Sequence, residues 1–204
     1  MVLTMRSGAL AGVLALGLAG PSLAETGVEL PAPTGVPLPF DLGGEFSLVD
    51  QAGDIRTQVN PSGRPQLLFF GYAACEQICS VALPMMADAV HALDAAGLDV
   101  TPVMITVDPE RDTPEVLAEQ LPALHPSFIG LTGKPGDLQV AYDAFGVDAT
   151  VVYEDPFLGD VFAHGSFIYL LDGQGEFLTL FPPILTPDRV TEIVRSHVEN
   201  DARG

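Results

Sequence analysis

The sequence predicts an α/β fold: a mixed central sheet with helices on both faces and a β-hairpin at its amino-terminal end. Three observations carry this. Two unbroken apolar runs, PQLLFFGY at 65–72 and LDVTPVMITVD at 98–108, have the character of strands buried on both faces. Each is followed by a segment with helical spacing, the alternation of a sheet covered by helices. Hairpin signals stand near both ends of the order.

Each element has a local cause. EFSLVDQAGDIRT at 45–57 alternates apolar and polar residues around Gly53 and forms the first hairpin. PQLLFFGY is the first buried strand. ICSVALPMMADAVHALDAAG at 78–97 is a helix stopped at Gly97, with a kink or break expected near its first turn at Pro84. LDVTPVMITVD is the second buried strand. TPEVLAEQLPAL at 113–124 is a helix with Thr113 as N-cap and Pro114 at its first position. FIGLTG at 128–133 is a short strand, and KPGDLQVAYDAFG at 134–146 is a helix closed by Gly146. SFIYLLD and EFLTLFP form an antiparallel pair about Asp172-Gly173-Gln174-Gly175, and TPDRVTEIVRSHVEN at 186–200 is the last helix. No internal repeat or second folded domain is evident.

Residues 1–24 read as a secretory signal peptide: Arg6, an apolar run of roughly a dozen residues, then Ser22-Leu23-Ala24 before a cut at Glu25. The run is shorter than the roughly 20 residues a bilayer core requires, which disfavours an uncleaved anchor. Residues 25–43, rich in Pro and Gly, read as an extended tether. Residues 44–204 are the folded domain, expected to be periplasmic and monomeric. The formal net charge is −19 and becomes −20 without the leader, whose only charge is Arg6. Such a surface repels phosphate backbones and excludes nucleic acid as a partner.

GYAACEQICS at 71–80 holds the chain's two cysteines, Cys75 and Cys79. They sit where a strand passes into a helix, the side of an α/β sheet at which ligands bind. A helix N-terminus favours an anion, so a thiolate there is reactive. A helical first turn would put both sulfurs on one side. A structural disulfide, a redox couple and a soft-metal site all remain open. The disulfide would close only a small loop and stabilise little. A metal site requires a third ligand, and two thiolates with an imidazole suit copper. Of four histidines, His91, His125 and His197 read as packing or surface residues. His164, just before the SFIYLLD strand, lies at the edge where the cysteine loop emerges. Met85 and Met86 read as core.

GYAACEQIC, VDPERDTPE at 107–115, FIGLTG at 128–133 and HGSFIYLLDGQGEF at 164–177 resemble, in order and spacing, the Sco (SenC/PrrC) family, over about residues 40–200. The resemblance implies a thioredoxin-like three-layer sandwich that binds one copper ion, Cu(I) or Cu(II), through Cys75, Cys79 and His164. It implies a metallochaperone serving the CuA centre of cytochrome c oxidase subunit II, or another copper acceptor, with a periplasmic thiol reductant as a second partner. The chain departs from the family at Glu76, where proline is usual. It departs again at Ala163 and Gly165, where Asp and Ser or Thr usually flank the histidine. Within DPERDTPE, Asp108 and Asp112 are expected to satisfy loop amides, and Arg111 to offset nearby acidity.

Two enzyme readings compete. A thiol:disulfide oxidoreductase would use Cys75 and Cys79 as its redox pair to keep an acceptor's cysteines reduced. Thioredoxins, however, place a cis-proline ahead of the strand that here starts at Ser166, and the nearest proline is Pro156. A peroxidase of the peroxiredoxin type would have Thr three residues before its nucleophilic cysteine, where this chain has Tyr72.

Overall fold

The computed structural model describes the backbone of residues 41–73, 79–157 and 159–201, and their side chains except at 79 and 199–201. The leader, nearly all of the tether and Cys75 lie outside these residues. Gly43 donates its amide to the Ala144 carbonyl at 2.9 Å, tying the entering chain to the domain.

Strands β1 (Leu48–Asp50) and β2 (Ile55–Arg56) form the amino-terminal hairpin, with Leu48 opposite Arg56. Its turn is organised by one buried carboxylate. Asp50 accepts from the Ala52 amide at 2.8 Å and the Asp54 amide at 3.0 Å, and from Arg56 Nε at 2.7 Å. Burial opposes charge on Asp50, but the guanidinium and the two amides outweigh it and hold the carboxyl below its ordinary value.

Strand β3 (Gln66–Gly71) is buried along its whole length, as is β4 (Thr101–Thr106). They pair in parallel from Gln66–Thr101 to Gly71–Thr106. Strand β5 (Ile129–Thr132) extends the parallel set beyond β4 and pairs antiparallel with β1. A separate two-stranded sheet, β6 (Thr150–Asp155) with β7 (Gly159–Ala163), precedes β8 (Ile168–Leu171) and β9 (Phe177–Phe181). Strand β8 runs antiparallel to β3, giving a mixed sheet in the order β2-β1-β5-β4-β3-β8-β9.

Helices α1 (Cys79–Ala95), α2 (Pro114–Gln120), α3 (Pro135–Phe145) and α4 (Pro187–Asp201) cover the two faces. Phe70 packs its ring against Tyr142 and Phe145 of α3, at 6.0 and 5.6 Å between centroids. Phe69, the next residue back, faces the opposite side. Met104 and Gly130 align with Phe69 across the sheet, and there α2 and the residue after it press close: a Cβ on Gly130 would stand 3.1 Å from Leu117 Cβ and 2.5 Å from Leu121 Cδ1. Right-handed crossovers place α1 on the same side as α2, and α1 packs on α4. The result is the thioredoxin-like three-layer sandwich. Both phenylalanines are fully buried, each contributing about 1.5–3 kcal/mol. Buried Tyr142 and Tyr169 donate to the carbonyls of Thr106 and Phe145 at 2.7 and 3.0 Å. Burial raises both phenol pKa values, with the Asp108 charge adding to the effect at Tyr142.

Pro84 lies inside α1 and does not break it. Two local outcomes differ from the sequence expectations. The helix expected over 113–124 stops at Gln120 and continues as a 3₁₀ turn, Leu121–Ala123, because Pro122 has no amide to donate. The β6–β7 hairpin was not anticipated: β6 is exposed on both faces over most of its length and carries an irregularity between Val151 and Tyr153, so it shows no buried alternation. Among the described residues, no helix is long and apolar enough to cross a membrane.

Asp50→Asn is expected to lower the unfolding free energy by about 1–3 kcal/mol at neutral pH, measured by denaturant titration. The native carboxyl titrates below its unfolded value, so its contribution is complete above the ordinary carboxylate range and is lost as pH falls through the depressed value. The gap between parent and variant should therefore close in acid.

Candidate metal centre

Strand β3 delivers Gly71, Tyr72 and Ala73 to the carboxyl edge of the parallel set, and α1 begins there at Cys79. Strand β8 is antiparallel to β3, so its beginning lies at the same edge. His164, four residues before Ile168, is thereby carried to the strand end from which the cysteine loop departs. The residue is 5% exposed. It stands edge-on to Phe69, at 5.7 Å and 89°, and to Tyr72, at 5.8 Å and 88°. Tyr72 in turn meets Phe162 of β7 at 5.5 Å. Gly165, next in sequence, has φ +71°, a left-handed turn that other residues adopt only with strain. The glycine that stands where the family usually has Ser or Thr thus serves the turn that leads His164 into β8.

Cys79 is the first residue of α1, whose first turn carries no acidic residue to offset the helix dipole. The Cys79 side chain and all of Cys75 lie outside the described residues. The structure therefore places the imidazole and the two ends of the cysteine loop at one edge, without giving sulfur positions. Among the described residues, no three His, Cys, Asp or Glu side chains gather into a metal-holding group.

The other histidines stand apart. His125 precedes β5 and so lies toward the amino edge of the parallel strands. It is buried, with Nδ1 2.7 Å from Ser127 Oγ, Nε2 3.5 Å from Asp94 and the His91 ring at 4.3 Å. Burial and the His91 charge depress its pKa, with Asp94 opposing. His197 Nδ1 lies 2.9 Å from the Ile193 carbonyl of its own helix. Met86 is fully buried in the core and Met85 packs against it.

The DPERDTPE loop does more than local work. Thr113 caps α2, accepting from the Val116 amide at 3.4 Å. The buried Asp112 carboxylate accepts from the Ala73 amide at 3.1 and 3.2 Å and from Thr106 Oγ1 at 2.6 Å. Burial pushes its carboxyl above the usual range and Asp108 adds to this, while the two donors and Arg111 oppose. The Asp108 amide donates to Thr106 Oγ1 at 2.9 Å, so this hydroxyl links both aspartates. Arg111 donates Nε to the Asp108 carboxylate and Nη2 to the Asp160 carbonyl of β7 at 2.6 Å, with its guanidinium over the Tyr72 ring at 5.6 Å. The sequence pointed to loop amides for these aspartates: Asp112 meets one, whereas the contact shown for the Asp108 carboxylate is the Arg111 guanidinium. That the amide belongs to Ala73, at the entrance to the cysteine loop, was not legible.

A sequence model described as SCO1/SenC matches residues 36–199. A SCO2-like protein of Rickettsia felis is 38% identical over 157 residues, covering 76% of this chain and 77% of the relative. The crystal structure of Arabidopsis thaliana ScoI with copper bound superposes with a TM-score of 0.72 at 30% identity, covering 78% of this chain and 99% of the other. That of yeast Sco1 with copper bound superposes with a TM-score of 0.71 at 30% identity, covering 78% and 90%.

Thr106→Val keeps the shape of the side chain and removes the hydroxyl shared by Asp108 and Asp112. It should lower the unfolding free energy by about 1–3 kcal/mol in a denaturant titration, the cost of leaving buried polar groups unmatched.

Proposed function

The chain belongs to the SCO1/SenC family, and we propose that it is an exported copper carrier. In this reading Cys75, Cys79 and His164 take up one copper ion in the periplasm. They pass it to the CuA centre of cytochrome c oxidase subunit II or to a related copper acceptor. The observation that carries the reading is the buried His164 imidazole, held between aromatic edges at the strand end from which the cysteine loop departs. The copper-bound state of the plant and yeast relatives supports it.

The chemistry follows from the donor set. Two thiolates are soft ligands suited to Cu(I), and an imidazole suits either oxidation state. Phe69 and Tyr72 fix the ring plane of His164, so little freedom is left to lose when an ion binds. Release proceeds by ligand exchange with an acceptor that has thiol and imidazole donors of its own.

The test is titration of the reduced protein with Cu(I) and with Cu(II), following sulfur-to-copper charge-transfer absorption. Cys75→Ser and Cys79→Ser should each abolish tight binding. His164→Ala should weaken Cu(II) by more than ~10-fold, the loss typical of disturbing even a partner that only orients a ligand, and should change Cu(I) far less. Affinity should fall as pH drops, because both thiols must lose a proton to bind. Copper binding at parental strength in all three variants would overturn the reading. Insulin reduction that persists in His164→Ala would point instead to a thiol:disulfide oxidoreductase.

A further inference from the structure

The two halves of the proposed copper site come from distant parts of the chain, residues 75–79 and residue 164. A third segment touches the supports of both. Asp112 receives the Ala73 amide, two residues before Cys75. Arg111, its neighbour, donates to the Asp160 carbonyl of β7, the strand that ends at Ala163 directly before His164. The same guanidinium covers Tyr72, whose edge meets His164.

The β6–β7 hairpin requires such an attachment. It forms its own two-stranded sheet and shares no ladder with the main one, so side chains and single hydrogen bonds set its position. Val151, Val152 and Tyr153 of β6 are exposed, and Val161 and Phe162 of β7 supply its inward contacts. Arg111 provides a polar contact to its backbone. Gly159 makes room for it: the residue opens β7 at φ +74°, and a Cβ there would stand 3.0 Å from Arg111 Nη1. The guanidinium is itself aimed, because Asp108 holds its Nε.

We propose that Arg111 and Asp112 are positioning residues for the copper site, with Arg111 fixing the hairpin that presents His164 and Asp112 fixing the entrance of the cysteine loop. Both halves of the site are then referenced to one short loop after β4. This rests on the preceding reading, in which Cys75, Cys79 and His164 hold the ion. The two residues act on different ligands, so their effects separate by oxidation state. Arg111 acts through the imidazole and matters for Cu(II). Asp112 acts through the thiolates and matters for both ions.

The experiment is a double-mutant cycle on the intact reduced protein, with Cu(I) and Cu(II) affinities and the Cu(II) electron paramagnetic resonance spectrum as readouts. Arg111 is partly exposed, so Arg111→Gln is expected to fold. It should weaken Cu(II) about 10–100-fold, the usual effect of losing a group that orients a ligand. It should alter the spectrum and leave Cu(I) within a few-fold. In a His164→Ala background the same substitution should change nothing further, since a residue acting through the imidazole has no effect once the imidazole is gone. Arg111→Lys keeps the charge without the planar fork and should recover part of the loss. Asp112→Asn should weaken both ions by similar factors, with or without His164.

Unchanged Cu(II) affinity and spectrum in Arg111→Gln, alongside a clear loss in His164→Ala, would overturn the positioning role and leave the copper reading intact. So would a loss that adds fully to that of His164→Ala. Parental Cu(II) binding by His164→Ala would overturn the positioning role together with the assignment of His164 as a ligand.

Discussion

The hydrogen-bonded strand triplet β4–β3–β8 is the constraint on which the rest of the molecule depends. Strand β3 is buried on both faces, so each of its backbone groups must be matched by a neighbouring strand. The match is parallel on the β4 side and antiparallel on the β8 side. This puts the ends of β3 and β4 and the beginning of β8 at one edge. Tyr72, the DPERDTPE loop and His164 meet there for that reason. A parallel β8 would carry His164 to the opposite edge, roughly 20 Å away over six residues of strand.

The chain is strongly acidic, with only eight Lys and Arg, and it commits two of them to buried carboxylates. Arg56 serves Asp50 and Arg111 serves Asp108, each at a turn that joins a strand to the next element. A buried carboxylate costs free energy unless donors surround it. Asp112 is answered without a direct cation, by a hydroxyl and a backbone amide. The three aspartates therefore act as fixed acceptors that organise loops.

The hairpin β6–β7 differs in kind from the main sheet. A ladder constrains every residue along a strand, whereas the contacts of this hairpin with the body include Val161, Phe162 and the Arg111 hydrogen bond to its backbone. An imidazole mounted on such an element takes its position from a few side chains. That gives Arg111 and Tyr72 an importance for His164 that burial alone would not suggest.

The sequence by itself determined the elements whose causes are local. The apolar runs of β3 and β4, the Thr113 cap with Pro114, the Gly146 stop and the late hairpin turn are each written within a few consecutive residues. It also marked His164 and the cysteine pair, because imidazole and thiol chemistry is visible in residue type and order. Where it fell short, the deciding contacts span the chain or lack a periodic pattern. β6 is exposed on both faces and so has no alternation to read. The Asp112 hydrogen bond to Ala73 crosses 39 residues and that of Arg111 to Asp160 crosses 49. Only the tertiary structure decided that one loop meets both the Ala73 amide and the backbone of β7, since which amide meets which carboxylate depends on strand order and direction, and neither is encoded by any single stretch of chain.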